Sequence, residues 1–244
     1  MDGAEHDGVD SKVPPSAQSP LEALDAIAVQ EVQVTTTMRH VEVYTLQGLL
    51  TFLWHGDVAA QDVVIACGGA AGGVLGPADA LYHDLGEWLA TRGIGMLRVG
   101  YRRPNRIESC VYDLTAAADL ASRSGAGRFV TAGHSFGGAV AIQAGIALGE
   151  ACAGVVTFAT QSAGCEGAAA LGGKPLLLFH GTRDELLPPD ASFAVQALAG
   201  AGEVVILPGA GHMLTEAAAD LRERLAEWIP RRFDEAARGT AAGA

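Results

Sequence analysis

Residues 128–139 read RFVTAGHSFGGA, and this stretch decides the fold. RFVTAG, residues 128–133, is a short apolar run of the kind that forms a buried strand. The Ala- and Ile-rich segment at 136–148 reads as a helix. Between them stand Gly133-His134-Ser135-Phe136-Gly137, a serine with a glycine two residues away on either side. A connection this abrupt brings those two positions against neighbouring backbone, where a side chain has no room. It also holds the serine in a strained conformation that pushes its hydroxyl out above the sheet edge. The helix end beneath it offers free amides and partial positive charge. G-x-S-x-G in a strand–turn–helix setting is the pattern of a nucleophilic serine. The plain alternative is a Gly-rich connection with an incidental serine, and the setting argues against it. His134 is expected to point away from Ser135, into the packing around the turn.

The same alternation extends in both directions. Strands are expected at 62–67, 93–99, 128–133, 154–160, 175–180 and 203–208, and helices at about 78–91, 108–123, 136–148, 190–200 and 213–233. Continuous apolar strands separated by helices imply a parallel sheet covered on both faces. Right-handed crossovers then make it doubly wound. Before this pattern comes EVQVTTTMRHVEVYTLQGLLTFLWHG (31–56), β-branched and aromatic, with turn signals near Met38-Arg39-His40 and at Gly48. It reads as two or three antiparallel strands. The fold class is therefore α/β, a mostly parallel sheet with antiparallel N-terminal strands and helices on both faces. Residues 1–20 are polar and Pro/Ser/Gly-rich and read as a disordered tail. Residues 21–236 form the domain, and 237–244 read as a flexible end.

Composition narrows the functional classes. A formal net charge of −12 over 244 residues repels phosphate backbones and disfavours nucleic-acid binding. No apolar run approaches the roughly 20 residues of a membrane helix. The acidic N-terminus lacks the apolar core of a secretory signal. Cys67, Cys110, Cys152 and Cys165 have no C-x-x-C spacing, so a structural zinc site lacks support. They read as buried free thiols in a reducing compartment. A cytoplasmic protein is the default, and its oligomeric state is left open.

Three motifs, GHSFGG (133–138), HGTRDELLPP (180–189) and GAGH (209–212), resemble those of the α/β-hydrolase family, in that order. The resemblance covers about residues 30–233. It implies a nucleophile, acid and base in the chain order Ser, Asp or Glu, His. A serine hydroxyl needs a base to take its proton, and the base needs a third group to fix its tautomer. Asp184, in the loop after strand 175–180, matches the acid. Glu185 is the fallback, and Asp190 reads as the N-cap of the next helix. His212 matches the base, and no other histidine follows Asp184. His180, at the end of a buried strand, reads as a packing residue.

The resemblance also implies an oxyanion hole. One donor is the amide of Phe136, the residue after the nucleophile. The other comes from the loop CGGAAGGVLG after strand 62–67, with Gly69 favoured and Ala70 next. The family often has His-Gly-x-Gly-Gly here, and Cys67 stands in the histidine position. The same glycines lack the Gly-Lys-Ser/Thr of a phosphate loop. Tyr101-Arg102 resembles a pair that supports the loop beneath the nucleophile turn. Arg103 and Arg106 are candidates for contact with an anionic acyl group.

Many relatives insert a helical cap after the strand matching 154–160. Here only QSAGCEGAAALGGK (161–174) is available, too short for a folded lid. The expectation is a capless serine hydrolase, of the esterase or dienelactone-hydrolase-like branch, with an open site. Its partner is a small acyl ester or thioester, and it needs no metal or organic cofactor. Dienelactone hydrolases typically use cysteine as nucleophile, and Ser135 departs from that. Peptidase, lactonase and cofactor-free perhydrolase chemistry use the same triad. A non-catalytic binding module on the same fold is the reading from another class.

Overall fold

The computed structural model describes residues 18–242. Most of the N-terminal tail, residues 1–17, therefore lies outside the described residues, as do residues 243 and 244. Ser19 and Pro20, read from the sequence as the end of the tail, open a short helix. The Ser19 hydroxyl accepts from the Glu22 amide, and the Glu22 carboxylate accepts from the Ser19 amide. This capping box starts a one-turn helix, α1 (Pro20–Ala23). Leu21 and Leu24 are buried, and the Leu21 amide donates to Asp119 Oδ2 at 3.0 Å.

Nine described strands form one sheet: β1 (Ala26–Gln33), β2 (Met38–Thr45), β3 (Gly48–His55), β4 (Asp62–Cys67), β5 (Gly95–Gly100), β6 (Arg128–His134), β7 (Cys152–Phe158), β8 (Leu176–Gly181) and β9 (Glu203–Leu207). Their spatial order is β1-β2-β3-β5-β4-β6-β7-β8-β9. The first three are antiparallel, β3 is antiparallel to β5, and the rest run parallel. The turn expected near Met38-Arg39-His40 lies just before these residues. These residues open β2 and pair with β1 and β3. The reversal comes just before, where the Val34 amide and the Thr35 amide both donate to the Met38 carbonyl.

The helices are α2 (Pro77–Ala90), α3 (Ile107–Arg123), α4 (Phe136–Leu148), α5 (Asp190–Ala199) and α6 (Ala218–Ala242). The period of two along the parallel strands divides the core. Val63, Ile65 and Cys67 of β4 join Leu114 of α3 and Val140 of α4 in one apolar cluster. Val64 and Ala66 join Leu81 of α2 and Leu225 of α6 in another. Leu178 of β8 and Val195 of α5 belong to a third, shared with Ile142 of α4. A sheet covered on both faces explains why these strands lack polar alternation.

α6 starts later than the expected 213, because the chain from Gly209 to Ala217 is a loop and a 3-10 turn. It also runs through residues 237–242, read from the sequence as a flexible end. Arg231 and Glu235, four apart and 3.0 Å from each other, help carry it on. α2 opens on Ala78, Asp79 and Ala80 with φ of 52°, 57° and 64°, a left-handed turn before the regular helix. Between β7 and β8 there is no cap. Cys165, Ala168 and Leu171 of that segment are buried against α4. Among the described residues no helix is long and apolar enough to cross a membrane. All four cysteines are free and buried.

Candidate active site

Ser135 stands between β6 and α4 with φ 57° and ψ −119°, a conformation that costs free energy for any residue with a Cβ. The surroundings impose it. The Ser135 amide donates to the Phe158 carbonyl at 2.8 Å, and the Ser135 carbonyl accepts from Gly138 at 2.9 Å. A Cβ on Gly133 would be driven into the Gly137 carbonyl oxygen. One on Gly137 would meet the Gly68 carbonyl oxygen, and one on Gly138 the Thr160 side chain. The glycines around the serine thus mark close backbone approaches, as their spacing predicts.

Asp184 follows β8 in the loop before α5, and its side chain is fully buried. Burial alone would raise its carboxyl. The amides of Leu187 and Leu186 oppose this by donating to Oδ1 at 2.9 Å each, and His212 adds to them. Together they hold the group below its ordinary value. Asp184 Oδ2 lies 2.7 Å from His212 Nδ1. Nδ1 therefore carries the hydrogen that faces the carboxylate, and the Nε2 lone pair is left free. Ser135 and His212 line one cleft of about 330 Å³. Among the described residues no hydrogen bond joins Ser135 Oγ to His212 Nε2. Such contacts often tighten only when substrate is bound.

His134 turns toward the His212 loop, and it is more than packing. Its Nε2 lies 3.0 Å from the His212 carbonyl oxygen, and the two rings are 4.9 Å apart between centroids. An N–H aimed at a carbonyl is a donor, so His134 helps hold the His212 loop. Burial pushes its pKa down to about 4, against the opposing hydrogen bond to His212.

His180 departs further from the packing role. Its ring is fully buried, with Nε2 3.0 Å from the Leu187 carbonyl and 3.2 Å from Asp184 Oδ2. Both neighbours are acceptors, so Nε2 carries a hydrogen. Nδ1 lies 2.7 Å from the Ser192 hydroxyl. The spacing His180-x-x-x-Asp184 was legible, but not that the ring turns back onto the carboxylate. Asp190 is the first residue of α5 and not its cap, a place that Pro189 takes. Glu185 is exposed.

Phe136 is the first residue of α4, where an amide has no partner within the helix. Gly69 sits beside Ser135. A Cβ added to it would be 3.6 Å from Ser135 Cβ and 3.7 Å from the His134 carbonyl oxygen. Gly69 and Gly72 form an antiparallel bridge that tightens the loop, and Ala70 lines the cleft with them. The Tyr101 hydroxyl donates to the Gly68 carbonyl at 3.0 Å, and its ring meets Phe136 edge-on at 6.4 Å. Arg102 pairs with buried Asp113 of α3 through both its backbone amide and Nε. Tyr101 thus holds the Gly-rich loop next to Ser135, whereas Arg102 ties the segment after β5 to α3 and does not touch that loop. Arg103 and Arg106 are exposed and lie outside the lining of the cleft.

The sequence matches no family profile and no curated protein sequence. Solved structures match closely in shape. Est1E from Butyrivibrio proteoclasticus superposes with a TM-score of 0.66 at 16% identity, covering 80% of this chain and 99% of that one. The dienelactone hydrolase from Anabaena variabilis gives 0.68 at 18% identity, covering 83% and 98%. An alpha-beta serine hydrolase homologue from Coxiella burnetii gives 0.62 at 19%, covering 79% and 98%.

The chain has the α/β-hydrolase fold.

In an α/β-hydrolase sheet the functional loops gather at the carboxyl ends of the strands. Ser135 follows β6, Asp184 follows β8 and His212 follows β9, so all three stand at that edge. The Gly-rich loop follows β4 and Tyr101 follows β5, on the same edge.

Proposed function

We propose that this chain is a serine hydrolase that cleaves carboxylic esters or thioesters through an acyl-enzyme on Ser135. One observation carries the reading. A serine in a strained turn at a helix N-terminus shares a cleft with an imidazole whose other nitrogen is 2.7 Å from a buried carboxylate. That is the arrangement nucleophilic acyl transfer needs.

Ser135 Oγ attacks the acyl carbon while His212 Nε2 takes its proton. Asp184 holds the imidazole by Nδ1–H and stabilises the imidazolium that forms. The amides of Phe136 and Gly69 receive the oxyanion, with Ala70 next in line for the second donor. His212 returns the proton to the departing alcohol or thiol. A water, activated by the same imidazole, then releases the acid and restores Ser135. The names of the neighbours, a dienelactone hydrolase and a serine hydrolase homologue among them, point to the same class. The cleft is small, and exposed Leu75 and Met213 line it, which suits a short apolar acyl group. Arg103 and Arg106 meet only a substrate that extends beyond the cleft. The buried free thiols fit a cytoplasmic enzyme.

Wild type and Ser135→Ala, assayed on p-nitrophenyl esters and acyl thioesters of increasing chain length, test this. The substitution should cost at least about 10³-fold in kcat, and a fluorophosphonate should label only the wild type. Equal turnover by the two proteins would remove Ser135 from its role. A wild-type chain that neither turns over esters nor takes the label would favour a binding module.

A further inference from the structure

A second cluster of reactive side chains lies at the other end of the sheet. His55 closes β3 and pairs with Met96, near the start of β5, whereas Ser135 stands at the far ends of the parallel strands. His83 and Glu87 are four apart on α2, so they share one face of the helix. One ligand atom from each of His55, His83 and Glu87 lies within 4.8 Å of the other two.

The local geometry fits a shared ion. His55 Nδ1 is 3.0 Å from Glu87 Oε1. Two ligands each about 2.0–2.1 Å from a tetrahedral ion stand roughly 3.3 Å apart. The His55 ring is fully buried. Gly86 makes its place, because a Cβ there would come within 2.6 Å of the ring. The Thr37 hydroxyl donates to Glu87 Oε2 at 2.5 Å and fixes the carboxylate from behind, as outer partners of metal ligands do. The Glu87 side chain is 37% exposed, which gives an ion a way in.

We propose that His55, His83 and Glu87 form a three-ligand site for a divalent transition-metal ion of the Zn²⁺ type, with water in the fourth position. Two imidazoles and one carboxylate suit such an ion, whereas Mg²⁺ and Ca²⁺ take oxygen ligands. Buried Arg98 adds positive charge close by, so the site is weaker than a four-ligand structural zinc centre. A bound ion ties β3 to α2, far from Ser135, and its effect falls on stability and not on ester turnover.

The test uses the full chain, freed of metal by dialysis against EDTA and titrated with Zn²⁺ by calorimetry near neutral pH. Wild type and His212→Ala should both bind, and Mg²⁺ should give no signal. His83→Ala and Glu87→Gln should each bind at least about tenfold more weakly. Both replaced side chains are only half-buried, and unchanged circular dichroism without metal should show that the variants fold. Co²⁺ should give the visible absorption of a tetrahedral site in wild type and lose it in both variants. Zn²⁺ affinity unaltered in both variants, or no binding by the wild type, would overturn the proposal. So would loss of binding in His212→Ala alone, which would place the ion at the catalytic histidine.

Discussion

Asp184 Oδ2 lies 3.2 Å from His180 Nε2 as well as 2.7 Å from His212 Nδ1. With the Leu186 and Leu187 amides on Oδ1, both carboxylate oxygens are held from opposite sides. A carboxylate so fixed cannot rotate, and the ring it orients cannot either. On the proposed mechanism His180 is a positioning residue that acts on His212 through Asp184. His180→Leu should lower kcat more than it raises KM. Removing the ring also frees the Leu187 carbonyl to which Nε2 is hydrogen-bonded, and with it the segment whose amide holds Asp184 Oδ1, so the pH profile of kcat/KM should change as well. His180→Gln, which keeps a donor, should recover part of both effects. A pH-rate profile unchanged in His180→Leu would reduce His180 to packing.

Tyr101 holds the Gly-rich loop after β4 by one hydrogen bond, to the Gly68 carbonyl at 3.0 Å. Tyr101→Phe keeps the ring against Phe136 and removes only that bond. It should cost about 1 kcal/mol in stability. Loosening the loop beside Gly69 should also lower kcat with little change in KM, which steady-state assays and urea unfolding together resolve.

Gly133 has no room for a Cβ, which would enter the Gly137 carbonyl. Gly133→Ala should destabilise the fold by about 3 kcal/mol, at the upper end of overpacking costs, and should displace Ser135. Thermal unfolding and fluorophosphonate labelling measure the two consequences separately. Gly127→Ala, where a Cβ meets nothing within 4 Å, is the matched control and should leave labelling intact.

His134 carries a pH dependence of stability. Its folded pKa, about 4, lies below that of an unfolded histidine, near 6.5. Between these values the unfolded chain binds the proton and the folded chain does not, so stability rises with pH there. The wild type should therefore lose stability as pH falls from about 6.5 toward 4. His134→Gln, which cannot titrate, should reduce the slope of that part of the curve, leaving the share of His55, whose pKa is lowered to about 4 as well. Urea unfolding at a series of pH values follows it, and equal slopes for the two proteins would contradict the assignment.

Much of this protein is legible in its residues taken in order. The parallel strands and their helices fall near their expected positions, because a strand buried on both faces must be apolar throughout and its helix must present a stripe. The turn at Ser135 is legible because glycine appears where backbone meets backbone, and the capless build because residues 161–174 are too few for a lid. Those are properties of single residues and short spacings. The sequence alone did not reveal that His180 turns onto Asp184, or that His134 supports the His212 loop. Nor did it show Ala78–Ala80 in a left-handed turn, or His55 beside His83 and Glu87. Each of these depends on which segments the folded sheet brings side by side, and on the direction a ring takes once its neighbours crowd it. Local pattern sets the elements, whereas contacts across the chain arise only when the whole core closes.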